Sequence, residues 1–148
     1  MRGTFDTFSG AIAVAEDGTP SVTAEIAVDS INTRNEQRDA HVRSADFFDA
    51  EKYPEITFVG KKIVGDAFGD FKLVGDLTLH GVTKEITLDA TFEGRAKDPW
   101  GNSRLGYTAK GKINRTDFGL GWNQALEAGG VLVSEEVKIA IEASFVKQ

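Results

Sequence analysis

A chain of 148 residues is the length of one domain, and folding at that size removes about 70% of the unfolded chain's surface from water. Its formal charge of −6 argues against a nucleic-acid partner, because phosphate-backbone binding needs a surplus of Lys and Arg. The absence of cysteine excludes disulfides and thiolate metal sites, and no apolar run approaches the ~20 residues of a membrane helix, so no transmembrane segment is expected.

In chain order, Met1-Arg2-Gly3-Thr4-Phe5-Asp6 carries no apolar signal region, so a cytoplasmic location is expected for the chain as it stands. A start lying further upstream would make it periplasmic or secreted. Phe8, Gly10, Ile12 and Val14 then alternate with small or polar residues. Asp17-Gly18-Thr19-Pro20 supplies turn residues, and Val22, Ala24, Ile26 and Val28 alternate again, which predicts a hairpin.

From Asn35 to Phe48 the period becomes helical, with Arg38, His41, Val42 and Ala45 on one side, Asn35 as the cap and Tyr53-Pro54 as the stop. Strands follow from Ile56 and Phe58, from Phe71 to Leu79, and through Ile86, Leu88, Ala90 and Phe92, the last two joined by a tight link at 80–84. Asp98-Pro99-Trp100-Gly101-Asn102 marks a turn before a strand through Leu105, Tyr107, Ala109, Gly111 and Ile113. Phe118 to Gly130 reads as irregular, with one helical turn near Gln124 to Glu127, and a last strand runs from about Ser134 to Val146.

Seven half-apolar strands with short links predict an all-β fold, a single domain over 1–148 in up-and-down antiparallel order. A barrel of about eight strands can fill its lumen with side chains or hold one small ligand. Gly10, Gly75 and Gly111 fall on the inferred inner faces, either as bends or as space left for a guest.

Little equipment for catalysis is present. His41 and His80 are the only imidazoles, whereas a zinc site wants three or four convergent ligands, so a mixed site with Asp39 or Asp46 is the weaker reading. The alternative is that His80 bonds the turn backbone and His41 orders the helical segment. Carboxylate pairs such as Asp46/Asp49 and Glu135/Glu136 read as surface charge, and no Gly-x-Ser-x-Gly elbow occurs.

Four blocks carry a family resemblance: Asn35 to Asp49, Tyr53-Pro54-Glu55-Ile56-Thr57-Phe58, Gly75 to Lys84, and Asn114-Arg115-Thr116-Asp117-Phe118-Gly119. In this order and spacing they resemble the bacterial YceI-like family, over nearly the whole chain from Arg2 onward. The resemblance implies an extended antiparallel lipocalin-like β-barrel with a short helical segment. It further implies a binding or carrier protein, not an enzyme, whose lumen takes a polyisoprenoid lipid or isoprenoid quinone, with no other cofactor.

On that resemblance, the ligand-binding positions expected are Phe5, Phe8, Ile26, Phe58, Phe71, Leu77, Leu79, Ile86, Leu88, Tyr107, Ile113, Trp122, Ile139 and Ile141. For each of the strand positions, ordinary core packing is the plainer alternative. Trp122 reads equally as a lid or as a plug for a barrel end, and the block at Arg115 as a closing ion pair or hydrogen-bonded corner, or else as a head-group contact at the mouth. Two rival functions stay open: a small enzyme acting on an apolar substrate through His41, and a packed barrel that serves as an interaction module.

The sequence departs from the family pattern at its start, where a first strand ordinarily precedes the Arg-Gly-Thr-Phe motif. An open seam between unpaired edges is expected, resolved by a start further upstream, by a second copy in a homodimer, or by closure with seven strands.

Overall fold

The computed structural model describes residues 3–14, 20–120 and 135–146. In chain order the strands are β1 (Thr4–Phe5), β2 (Phe8–Val14), β3 (Pro20–Ala27), β4 (Ile31–Asn32), β5 (Glu55–Gly65), β6 (Asp70–Leu79), β7 (Val82–Lys97), β8 (Ser103–Asn114) and β9 (Glu136–Val146). One helix, α1 (Glu36–Arg43), and two short 3-10 turns, Val28–Ser30 and Arg115–Phe118, lie in the connections.

Seven of these strands form one antiparallel sheet in the order β2-β3-β5-β6-β7-β8-β9, the up-and-down order that short links impose. The sheet curls into a half-barrel of mostly β structure. Each predicted strand is present. The helical turn expected near Gln124 to Glu127 lies outside the described residues, as does the expected start of the last strand at Ser134.

Local chemistry sets the links. Asn35 caps α1 as its spacing implies, its side-chain oxygen accepting from the Arg38 amide at 3.0 Å. The helix is short, ending at Arg43, and the rest of the predicted segment forms turns held by Phe48 N to Val42 O and Tyr53 N to Asp49 O hydrogen bonds. His80 and Gly81 form a two-residue hairpin turn with φ of 55° and 74°, the left-handed pair whose twist matches flanking strands. At the β7–β8 turn, the Asp98 carboxylate accepts from the Trp100 and Asn102 amides, both at 2.9 Å.

Register explains the curl. Phe8, Gly10 and Ile12 lie opposite Ile26, Ala24 and Val22, which lie opposite Ile56, Phe58 and Gly60. The same face continues through Leu77, Gly75, Leu73 and Phe71, then Ile86, Leu88 and Ala90, then Tyr107 and Ala109. It ends on β9 with Val137, Ile139 and Ile141, opposite Ile113, Gly111 and Ala109. Register shifts at Gly60/Lys62 and Phe92/Gly94 increase local bending, as bulges do.

Candidate functional site: an apolar trough with open edges

The inner face of the half-barrel is an apolar trough. Its floor is built from Ile56, Phe58, Phe71, Leu73, Leu77, Leu79, Leu88, Ala90 and Ala109, all buried, and Val28, Phe118 and Leu120 continue the cluster at the end that carries α1. Complete burial of such side chains is worth about 2 kcal/mol each. The floor is therefore the main source of sheet cohesion as well as the wall of any site.

The expected ligand positions fall into groups. Phe58, Phe71, Leu77, Leu79 and Leu88 are buried in the floor, and Phe5, Ile26, Ile86, Tyr107 and Ile113 are partly buried against it. Phe8 and Ile141 share the inner face but are 61% and 38% exposed, and Ile139 is half-buried. Trp122 lies outside the described residues.

The exposed members share one cause. Six antiparallel pairings separate β2 from β9, so the two edge strands point the same way, and among the described residues no strand pairs with their outer sides. Phe8 and Ile12 on β2, and Val137 and Ile141 on β9, are among the exposed large apolar residues of the structure. All four are trough-facing side chains with no next strand to lean on among the described residues.

Residues outside the expected set also line the trough. Leu73 alternates in phase with Phe71 and Leu77, so period-two spacing was signal enough. Ile63 joins the inner face only because the shift at Gly60/Lys62 changes the phase of β5, which no regular spacing reveals. Of the glycines, Gly75 leaves no room for a guest: the space a Cβ would take is filled by the Phe58 ring, at 2.6 Å. Gly111 is likewise covered by Leu88, at 2.6 Å.

The two ends of the trough differ chemically. At the β5–β6 hairpin end, Phe68, Phe71, Phe92, Tyr107 and Phe145 form a chain of edge and tilted ring contacts, with centroids 5.2 to 6.2 Å apart. The Tyr107 hydroxyl donates to Ala67 O at 3.1 Å, and burial pushes its pKa up against the opposing charge of Arg95. The Arg95 guanidinium lies 5.0 Å from the centre of the Phe68 ring, a cation–π contact.

At the opposite end, Arg115 is buried and donates to Leu120 O at 2.5 Å, while the Leu120 amide donates back to Arg115 O at 3.1 Å. The hydrogen-bonded-corner reading of this block therefore matches the geometry. His80 Nδ1 lies 3.2 Å from Phe118 O, and its ring meets Tyr53 edge-on with centroids 4.8 Å apart. His80 thus ties the turn to the corner.

His41 lies on α1 and is not part of the apolar cluster. Its Nε2 lies 2.9 Å from Asp46 Oδ2 on an exposed part of the α1 segment, and its ring packs edge-on against Phe47. Asp39 is engaged by the Thr33 hydroxyl and by the Thr33 amide at 2.7 Å, so it does not converge on His41. The Thr33 hydroxyl and amide, with Arg43 and Arg38 nearby, hold the Asp39 carboxyl below its ordinary value. Among the described residues, no three His, Asp or Glu side chains gather as a metal would require.

The described residues thus form a curled antiparallel half-barrel with a continuous apolar inner face. The chain belongs to the YceI-like domain family, whose model matches residues 1–145. It is 41% identical over 148 residues to UPF0312 protein SAS2572 of Staphylococcus aureus strain MSSA476, covering 98% of this chain and 84% of that protein. The crystal structure of the Campylobacter jejuni YCEI protein is 32% identical, with a TM-score of 0.84 over 99% of this chain and 85% of that one. A polyisoprenoid binding domain from Saccharophagus degradans, implicated in plant cell wall breakdown, shares the fold with a TM-score of 0.69 at 21% identity, over 97% of this chain and 84% of that one.

Proposed function

We propose that this protein binds a polyisoprenoid lipid or isoprenoid quinone along the trough and carries or stores it without chemical change. The observation that supports this reading most is the state of the edge residues. Phe8, Ile12, Val137 and Ile141 continue the apolar floor yet remain accessible, so a guest lying along the trough gains contact with both sides at once. Each buried CH₂ is worth about 0.8 kcal/mol, so one five-carbon isoprene unit gains up to about 4 kcal/mol before entropy and misfit are subtracted. Several units give tight binding with no charged contact. The separation of the His41–Asp46 pair from the apolar cluster favours a binding role over an enzymatic one.

A second reading has one observation in its favour. The Phe58 ring already fills the space beside Gly75, as a packed barrel acting only as an interaction module would require. Titration of delipidated protein with an isoprenoid quinone, followed by tryptophan fluorescence quenching, separates the two. Saturable one-to-one quenching that a short, tail-less quinone does not reproduce supports the carrier. Equal quenching by both compounds, or none that saturates, supports the packed module.

A further inference from the structure

A bulge brings a positive charge onto the inner face of the trough. Leu88, Ala90 and Phe92 mark that face of β7 at every second residue, so an unbroken strand would turn Arg95 outward. The shift between Phe92 and Gly94 prevents this: Phe92 stands opposite Tyr107 and Arg95 opposite Leu105, two residues on the same side of β8. Glu93 takes up the extra position and points away, its carboxylate accepting from the Thr108 hydroxyl at 2.8 Å. Gly94 holds the bulge at a φ of 129°, where residues with a side chain are strained.

Arg95 thereby faces an aromatic wall. Its guanidinium lies 5.0 Å from the centre of the Phe68 ring, Phe68 meets Phe92 edge-on at 5.4 Å, and Phe92 meets Tyr107 at 5.2 Å. Arg95 and Phe68 are both exposed. Among the described residues no ion pair or hydrogen bond engages the guanidinium, so its donors are open to an acceptor. The opposite end of the trough differs. Buried Val28, Phe118 and Leu120 fill it, and the inner-face cation there, Lys84 opposite Leu77, is a compact ammonium.

We infer that Arg95 and the Phe68–Phe92 pair receive the polar head of the guest, and that this head is a flat ring bearing oxygen acceptors, of the quinone class. The ring lies against the aromatic side chains while the guanidinium donates to one of its oxygens; a phosphate head has no face to lay on them. The inference rests on isoprenoid carriage in the trough and adds its direction, head at the β5–β6 hairpin and tail toward α1.

Delipidated parent, Arg95→Gln and Lys84→Gln proteins are equilibrated with farnesyl benzoquinone, with farnesene, which is the same tail without a ring, and with farnesyl phosphate. Bound and free compound are separated and quantified by mass spectrometry. Arg95 is exposed, so Arg95→Gln folds, as circular dichroism verifies. It weakens quinone binding about tenfold and leaves farnesene binding as it was, while Lys84→Gln changes neither. Equal quinone affinity in the parent and Arg95→Gln overturns the inference and leaves carriage standing. So does a loss that farnesene shares, a loss confined to Lys84→Gln, or a farnesyl phosphate that depends on Arg95 more strongly than the quinone does. A parent protein that takes up none of the three compounds removes carriage itself, and the inference with it.

Discussion

Phe58 and Gly75 are diagonal neighbours across β5 and β6, so close that a Cβ on Gly75 would stand 2.6 Å from Phe58 Cζ and 2.5 Å from Val59 O. The absence of a side chain at Gly75 leaves that space to the Phe58 ring. Gly75→Ala forces that ring or the β5 backbone aside and costs about 2 kcal/mol. Gly60→Ala meets side-chain atoms instead, Val22 Cβ at 3.0 Å and Leu73 Cδ1 at 3.1 Å, and costs less. Urea unfolding of the two variants beside the parent protein checks the order, and an equal loss contradicts it.

Phe8 offers a way to disturb the trough without disturbing the fold, because it is 61% exposed on an edge strand. Phe8→Lys places a charge where a guest's hydrocarbon would lie. Isoprenoid affinity falls about tenfold or more, from lost apolar contact and the cost of desolvating the ammonium. The melting temperature stays within a few degrees of the parent. Unchanged affinity, measured by the same quinone titration, would place the ligand elsewhere.

Acidification acts on the α1 segment through Asp39. Its folded pKa is held below the ordinary value of 3.8, chiefly by the Thr33 hydroxyl and amide, so in acid the folded state binds fewer protons at this carboxyl than the unfolded chain does. Its contribution to stability is present above that ordinary value and is lost as pH falls through the depressed folded pKa. Asp39→Asn keeps an oxygen acceptor for Thr33 and removes the charge, so its stability falls less steeply below pH 3.8 than the parent's. Thermal melts over an acidic pH series show the difference, and parallel profiles would exclude Asp39 as a source of acid sensitivity.

The corner at Arg115 is expected to be costly to alter. Arg115→Met leaves Leu120 O without its guanidinium donor in a buried place, a loss of about 3 kcal/mol. Lys cannot reproduce the planar fork, so Arg115→Lys recovers little of it. Denaturant titration of both variants decides, and near-parental stability of the lysine variant would reduce the corner to a single point charge.

The long strands were legible because alternation survives in them: Phe71, Leu73, Gly75, Leu77 and Leu79 repeat without interruption, and the Asn35 cap announces α1. The small β1–β4 pairing was not, since Thr4–Phe5 and Ile31–Asn32 are each too short to show a period and meet only through the tertiary fold. The inner position of Ile63 was hidden by a register shift, and Arg95 reaches Phe68 beyond a similar shift at Phe92/Gly94. Sequence periodicity also assigned Phe8, Ile139 and Ile141 to the inner face but could not distinguish a covered position from an edge one. That difference depends on the number and direction of strands in the sheet, which is a property of the whole chain.

The most direct test of lipid carriage is native mass spectrometry of gently purified protein, followed by denaturing organic extraction of the same sample. The account predicts an adduct that leaves on denaturation, with an extracted species whose mass fits a whole number of isoprene units. A protein that flies without any adduct, whose extract contains no isoprenoid and which takes up none when an excess is supplied, would contradict it.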